Sequence, residues 1–220
     1  MSAELTNIAA SVRQRLKALS QRTGEDFQGV LFRYAAERFL YRLSASPHGD
    51  RFILKGATLF AVWSGGDPHR ATQDLDLLGF GDSSVAEMEQ IFRDVAACPV
   101  EDDGIVFDPV SVKVVASWDQ RVYSGARIQL TATLAKARIT MRVDVGFGDA
   151  VHPPAIQSTL PTLLDLSAPV LRLYPKETVV AEKFHAMVFV GPSRPTARYS
   201  SSATVKTMPR AVAAATSTSS

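Results

Sequence analysis

The sequence predicts an α+β chain: a mixed, mostly antiparallel sheet covered by helices, with helices ahead of it and a shortened helical part behind. Three observations carry this. Segments of helical period stand near both ends. Three period-two segments follow one another between Ile105 and Gly146. Between them and the first helices lies Phe52–Phe80, where a Gly turn precedes an Asp-Leu-Asp strand.

The 220 residues suit one domain, or one domain plus a small helical part. A formal net charge of +2 gives no bulk signal for nucleic-acid binding. The single cysteine, Cys98, excludes an internal disulfide. No charged-then-apolar leader and no bilayer-length apolar run is found, so a soluble cytoplasmic protein without a membrane partner is expected.

Residues 1–50 are expected to be helices packing on the core. Leu5, Ile8, Ala9, Val12, Leu16 and Leu19 recur at helical spacing, and Gly24 closes the segment. Val30, Leu31, Tyr34, Ala35, Phe39 and Leu43 repeat the pattern from Phe27 on, and Pro47 and Gly49 end it. The arginines here, Arg33, Arg38 and Arg42 among them, read as solvated helix faces in preference to a nucleic-acid surface.

Residues 51–190 form the expected core. A Gly turn at Gly56 leads into a short helix over Ala57–Ser64, a Gly/Pro-rich loop, and a strand over Gln73–Phe80. Side chains alternate along a strand, so Asp74, Asp76 and Leu78 share one face and Leu75 and Leu77 the other. Two carboxylates so placed have backbones roughly 6–7 Å apart and repel unless a positive group sits between them. A divalent metal is the usual answer.

Ser84 and Glu87 match a capping box ahead of a helix over Val85–Ala97. The Glu101-Asp102-Asp103 run reads as a solvated loop. Val110, Val112 and Val114, then Ile128 to Leu134, then Ile139 to Val145 alternate with polar residues, with turns near Gly125 and Lys136. Asp144 lies on the polar face of the last strand. Alone it reads as a solvent-facing carboxylate; with Asp74 and Asp76 it becomes a third metal-facing one.

Pro153, Pro154, Pro161 and Pro169 mark a long irregular connection, and a helix follows from Pro175 to about Val190. Val179, Val180, Phe184, Met187 and Val188 make its apolar stripe, with Lys183 on it. An inward lysine needs an anionic partner, while a snorkelling one does not. Glu182 and His185 read as surface or core-edge residues. From Gly191 to Ser220 the chain carries Arg194, Arg198, Lys206 and Arg210, no acidic residue, and mostly Ser, Thr, Ala and Pro. Such a segment cannot offset its ordering entropy, so 191–220 is expected to be a disordered, aberrant tail, explained by a reading-frame change near Gly191. A gene with no open continuation in another frame would remove that explanation.

Four pieces in this order resemble the AbiEii/AbiGii toxin family of the DNA polymerase beta type nucleotidyltransferase superfamily. They are Leu54-Lys55-Gly56-Ala57, Arg70-Ala71-Thr72-Gln73-Asp74-Leu75-Asp76, Arg142-Val143-Asp144-Val145-Gly146, and Tyr174-Pro175 through Glu182-Lys183. The resemblance implies a nucleotidyltransferase fold and a Mg²⁺-dependent toxin of a toxin–antitoxin or phage-defence system. Such a toxin moves a nucleotide from a nucleoside triphosphate to an acceptor such as tRNA and is held by a cognate antitoxin.

The resemblance also implies roles. Asp74, Asp76 and Asp144 hold metal, and Asp144 also draws the proton from the attacking hydroxyl. Lys183 neutralises phosphate. Lys55, Gly56, Thr58 and Arg70 contact the nucleotide, with the Gly56 turn bringing backbone N–H groups to the phosphates. The sequence departs from the family pattern twice. Ala57 stands where many members have Ser, leaving Thr58 to supply a hydroxyl. The family's later Arg-x-Lys-Asp-x-x-Asp-Leu type motif and its helices are replaced by the tail. That leaves Phe184, Met187 and Val188 uncovered and puts the chain's activity in question. The alternatives are a non-catalytic nucleotide- or partner-binding remnant and a small-molecule nucleotidyltransferase.

Overall fold

Among the described residues seven strands form a single mixed sheet. The computed structural model describes residues 7–63, 74–119 and 123–190, with side chains for all of these except 61, 116–119, 123–124, 183 and 185–190. The predicted loop around Arg70, residue Leu5 and the 191–220 tail therefore lie outside the described residues. In order come α1 (Ile8–Thr23), α2 (Phe27–Ala45), β1 (Phe52–Lys55), α3 (Thr58–Trp63), β2 (Asp74–Gly79) and α4 (Val85–Ala97). They are followed by β3 (Ile105–Asp119), β4 (Tyr123–Leu134), β5 (Ala137–Phe147), β6 (Ile156–Thr159), β7 (Val170–Leu173) and α5 (Lys176–Val190). The strands lie in the order β3-β4-β5-β2-β1-β7-β6. The β2–β5 and β1–β7 pairs are parallel and the others antiparallel, so the sheet is mixed and mostly antiparallel as expected.

Local chemistry sets the helix ends. The Asn7 and Asp26 side chains accept from the Ala10 and Gly29 amides and start α1 and α2. Gly24, at φ 73°, closes α1 in the left-handed conformation. Ser84 accepts from the Glu87 amide at the head of α4. The Glu87 carboxylate binds Arg51 instead of returning to the cap, so only half of the capping box forms.

One sheet face is apolar and covered by helices. Leu75 and Leu77 of β2 stand beside Val143 and Val145 of β5, with Ile128 and Ala126 next on β4. Phe39 of α2 stacks on Phe92 of α4 and meets Phe107 of β3 edge-on, while Phe52 of β1 closes on Phe92. These rings join α2 and α4 to the sheet in one hydrophobic core that also takes in Val12 and Leu16 of α1.

Five expectations are corrected. Arg38 and Arg42 are not solvated and Asp103 is not in a solvated loop: all three are buried together. Arg38 Nε donates to Asp103 Oδ2 at 2.8 Å, and Arg42 donates to both carboxylate oxygens at 2.7 and 3.0 Å. Gly125 does not turn but pairs within β4 with Gly146. The connection after β5 is not irregular throughout: it holds β6 and β7, too short and too mixed to show a period. Val110 and Val112 do not share a face. Asp108 pairs with Thr131 and Lys113 already with Gln129, so β3 bulges between them. Val110 is 88% exposed while Val112 is buried.

Candidate active site

The other face of the sheet carries charge in a row. Lys55 of β1 pairs in register with Asp76 of β2, Asp76 with Asp144 of β5, and Asp144 with Arg127 of β4. Directly paired residues project to the same face. Four strands thus present cation, carboxylate, carboxylate and cation side by side. Asp74 stands one step along β2 on that face, beside Arg142. The structure therefore brings Asp74, Asp76 and Asp144 onto adjacent strands of one face.

Gly56 follows β1 with φ +75°, a conformation that favours glycine. A Cβ there would fall 2.0 Å from Asp76 Oδ2, so the turn backbone lies directly against that carboxylate. Thr58 opens α3 and is half-buried, with Ala57 exposed. At the other end of α3, Trp63 carries Lys176 of α5 over its ring at 5.6 Å, which sets the start of α5 beside the turn helix.

The cations are already engaged. Arg127 grips Asp144 through two parallel bonds, Nε to Oδ1 at 2.7 Å and Nη2 to Oδ2 at 2.8 Å. The bonds it donates to Asp144, with the nearby charges of Asp144, Asp74 and Asp76, push the Arg127 guanidinium above its ordinary value. Lys55 is buried and donates from Nζ to Asp149 Oδ2 at 2.8 Å, with the Tyr174 hydroxyl 3.4 Å from the same oxygen. Glu182, expected at the surface or core edge, is buried as well. Burial first, then Glu182 and Asp149, push the Tyr174 phenol far up. Lys183 adjoins this cluster on α5, but its side chain lies outside the described residues, as do those of His185, Met187 and Val188.

Asp74 Oδ1 is buried and has no hydrogen-bond partner among the described residues. An orphaned carboxylate oxygen beside a second carboxylate suits a hard divalent cation such as Mg²⁺, which takes one or two carboxylates plus substrate phosphates. Among the described residues no group of three or more acidic, His or Cys side chains is assembled to hold a metal. The structure thus supplies an Asp74–Asp76 pair that fits, with Asp144 engaged by Arg127.

Sequence reasoning missed Arg127, Asp149 and Tyr174. Arg127 was within reach. A two-residue turn at Ala135–Lys136 joins Leu134 to Ala137. Equal steps away from that turn along the two strands set Arg127 opposite Asp144. Asp149 and Tyr174 had no such signal, because neither lies on a strand and both reach Lys55 from far along the chain.

A model of the AbiEii family, described as nucleotidyl transferase AbiEii toxin of a Type IV toxin–antitoxin system, matches residues 38–201. The chain belongs to this family. No curated protein is similar enough to match. Among solved structures, JHP933 from Helicobacter pylori is similar at 16% identity and TM-score 0.46, covering 73% of this chain and 58% of that one. A "putative nucleotidyltransferase from H. pylori" is similar at 17% identity and TM-score 0.40, covering 66% and 53%. The chain thus spans little more than half the length of either. No helix among the described residues of this family member is long and apolar enough to cross a membrane.

Proposed function

We propose that this AbiEii-family chain is a metal-dependent nucleotidyltransferase toxin that acts in the cytoplasm on an RNA acceptor, tRNA first among candidates, under control of an antitoxin. The observation that carries it is the register that sets Asp76 beside Asp144, with Asp74 on the same face and the Gly56 backbone against Asp76.

In the reaction an acceptor hydroxyl oxygen attacks the α-phosphorus of the triphosphate. The bond from that phosphorus to the bridging oxygen breaks and pyrophosphate leaves. Bound Mg²⁺ would supply charge for the attacking and leaving oxygens. Asp74 and Asp76 would hold that ion, through which the triphosphate charge would be neutralised. Asp144 receives the acceptor's proton on a carboxylate oxygen. Gly56 lets the main chain come close to the nucleotide, with Thr58 offering a hydroxyl. Arg70 and Lys183 remain the proposed phosphate cations. Lys55, turned to Asp149, acts behind the turn.

The Arg127–Asp144 pair favours a second reading, a protein that binds nucleotide without transferring it. One experiment separates the two. Calorimetry measures Mg²⁺-dependent binding of each nucleoside triphosphate, and transfer of α-labelled nucleotide to tRNA is followed in parallel. Binding and transfer that both vanish in Asp74→Asn support the enzyme. Binding without transfer supports the second reading, and transfer to a small acceptor with indifference to RNA points to small-molecule modification. Binding that survives Asp74→Asn and Asp76→Asn removes the site.

A further inference from the structure

Three like charges on one sheet face need a counter-charge before any ligand arrives. Asp74, Asp76 and Asp144 would otherwise repel across neighbouring strands. Arg127 supplies that charge. It sits opposite Asp144 by strand register, occupies both carboxylate oxygens, and lies near enough for Asp74 and Asp76 to act on it. Its side chain is 42% exposed against 15% for Asp144, so the guanidinium caps the carboxylate from the solvent side.

We infer that Arg127 is a built-in cation of the resting site, and that Arg127 and a divalent metal hold Asp144 in turn and never together. The inference rests on the metal-binding reading of Asp74 and Asp76. Two features support exclusion. The bidentate grip puts a guanidinium N–H on each Asp144 oxygen, so a metal ligated at either one would share that oxygen with a cation and weaken its bond. A bound guanidinium also keeps a positive charge where a second cation would have to come. Release is within reach, because a partly exposed ion pair is held far less tightly than a buried one. On this view the pairing that makes Asp144 look unavailable is the ground state from which the metal site is assembled.

The test uses Mn²⁺ as the probe and reads binding alone, by paramagnetic resonance and calorimetry, on the full chain. Wild type, Arg127→Ala, Arg127→Lys, Asp144→Asn, the double variant Arg127→Ala/Asp144→Asn and the double variant Asp74→Asn/Asp76→Asn are titrated. Arg127→Ala is expected to bind Mn²⁺ about five-fold more tightly, the size expected for loss of a partly exposed ion pair. Lysine, which cannot grip both oxygens, falls between. The decisive comparison is the Asp144→Asn background, where removing Arg127 should change affinity little. A gain of equal size there means only that a positive charge was removed nearby, and overturns the inference. Unchanged or weaker binding in Arg127→Ala also overturns it, since Arg127 would then merely shape Asp144. If wild type binds through Asp74 and Asp76 and only the Arg127 effect fails, the metal reading survives. If Mn²⁺ binding is absent from every variant, or indifferent to Asp74 and Asp76, both fall.

Discussion

The point where a Cβ would stand on Gly56 lies 2.0 Å from Oδ2 of Asp76 and 2.7 Å from its Cβ and Cγ. The turn and the carboxylate are therefore one structural unit: no side chain fits between them. Gly56→Ala adds a left-handed alanine, worth roughly 1–2 kcal/mol, and pushes Asp76 out of place. The expected result is a loss of about 1–3 kcal/mol in urea unfolding with loss of Mg²⁺–nucleotide binding. In an Asp76→Ala background the same substitution should cost less, because the nearest clashing oxygen is gone. Equal costs in both backgrounds would mean that the backbone conformation alone sets the penalty.

Asp103 anchors α2 to the start of β3. Burial opposes its charge, yet the Arg42 and Arg38 bonds hold its carboxyl below the ordinary 3.8. A depressed folded-state value means that this stabilisation is complete above 3.8 and is lost as pH falls through the lower folded value. Asp103→Asn leaves the buried Arg42 guanidinium without its counter-charge and Arg38 with only Glu37 at 3.5 Å, and is expected to cost about 3–5 kcal/mol at neutral pH. Urea midpoints followed from neutral to acid should show the wild-type advantage shrinking only below 3.8. A gap that closes well above that value would assign the acid sensitivity to another group.

The elements that carry Asp74, Asp76 and Asp144 were legible because each rests on a local rule. Alternation fixes faces, a Gly turn announces a positive φ, and Pro at the first turn starts α5. What stayed hidden depends on partners far along the chain. Arg38 and Arg42 look like surface arginines until Asp103 meets them across more than 60 residues. Glu182 and Lys55 look like ordinary polar residues until Asp149 and Tyr174 close over them. Period counting has no means of seeing a buried charge whose partner is remote in sequence.

Val110 and Val112 make the same point within one strand. Simple alternation gives them one face, but the bulge after Asp108 exposes Val110 and leaves Val112 buried. Val110→Lys is expected to change stability by less than about 0.5 kcal/mol. Val112→Lys, which drives an unpaired ammonium into the core, should cost well over 2 kcal/mol. Thermal melts of the two variants check this directly. Similar losses would mean that the bulge does not form in solution.

Lys55 and Asp149 form a buried pair that joins β1 to the segment after β5, with Tyr174 beside it. Removing one partner strands the other charge, so Lys55→Met and Asp149→Leu should each cost about 3–5 kcal/mol. The double variant loses both charges at once and should cost clearly less than the sum of the singles. Asp149 Oδ1 has no hydrogen-bond partner among the described residues, which already marks this pair as imperfectly compensated. The apolar double variant should therefore stand close to wild type in urea, since replacing a buried ion pair by apolar groups is often neutral. Mg²⁺–nucleotide binding by that double variant then separates two roles. Binding retained at wild-type strength makes the pair a structural clamp. Binding lost from a stable double variant shows that Lys55 serves the nucleotide through the Gly56 turn, where the chain passes from this buried cluster to Asp76.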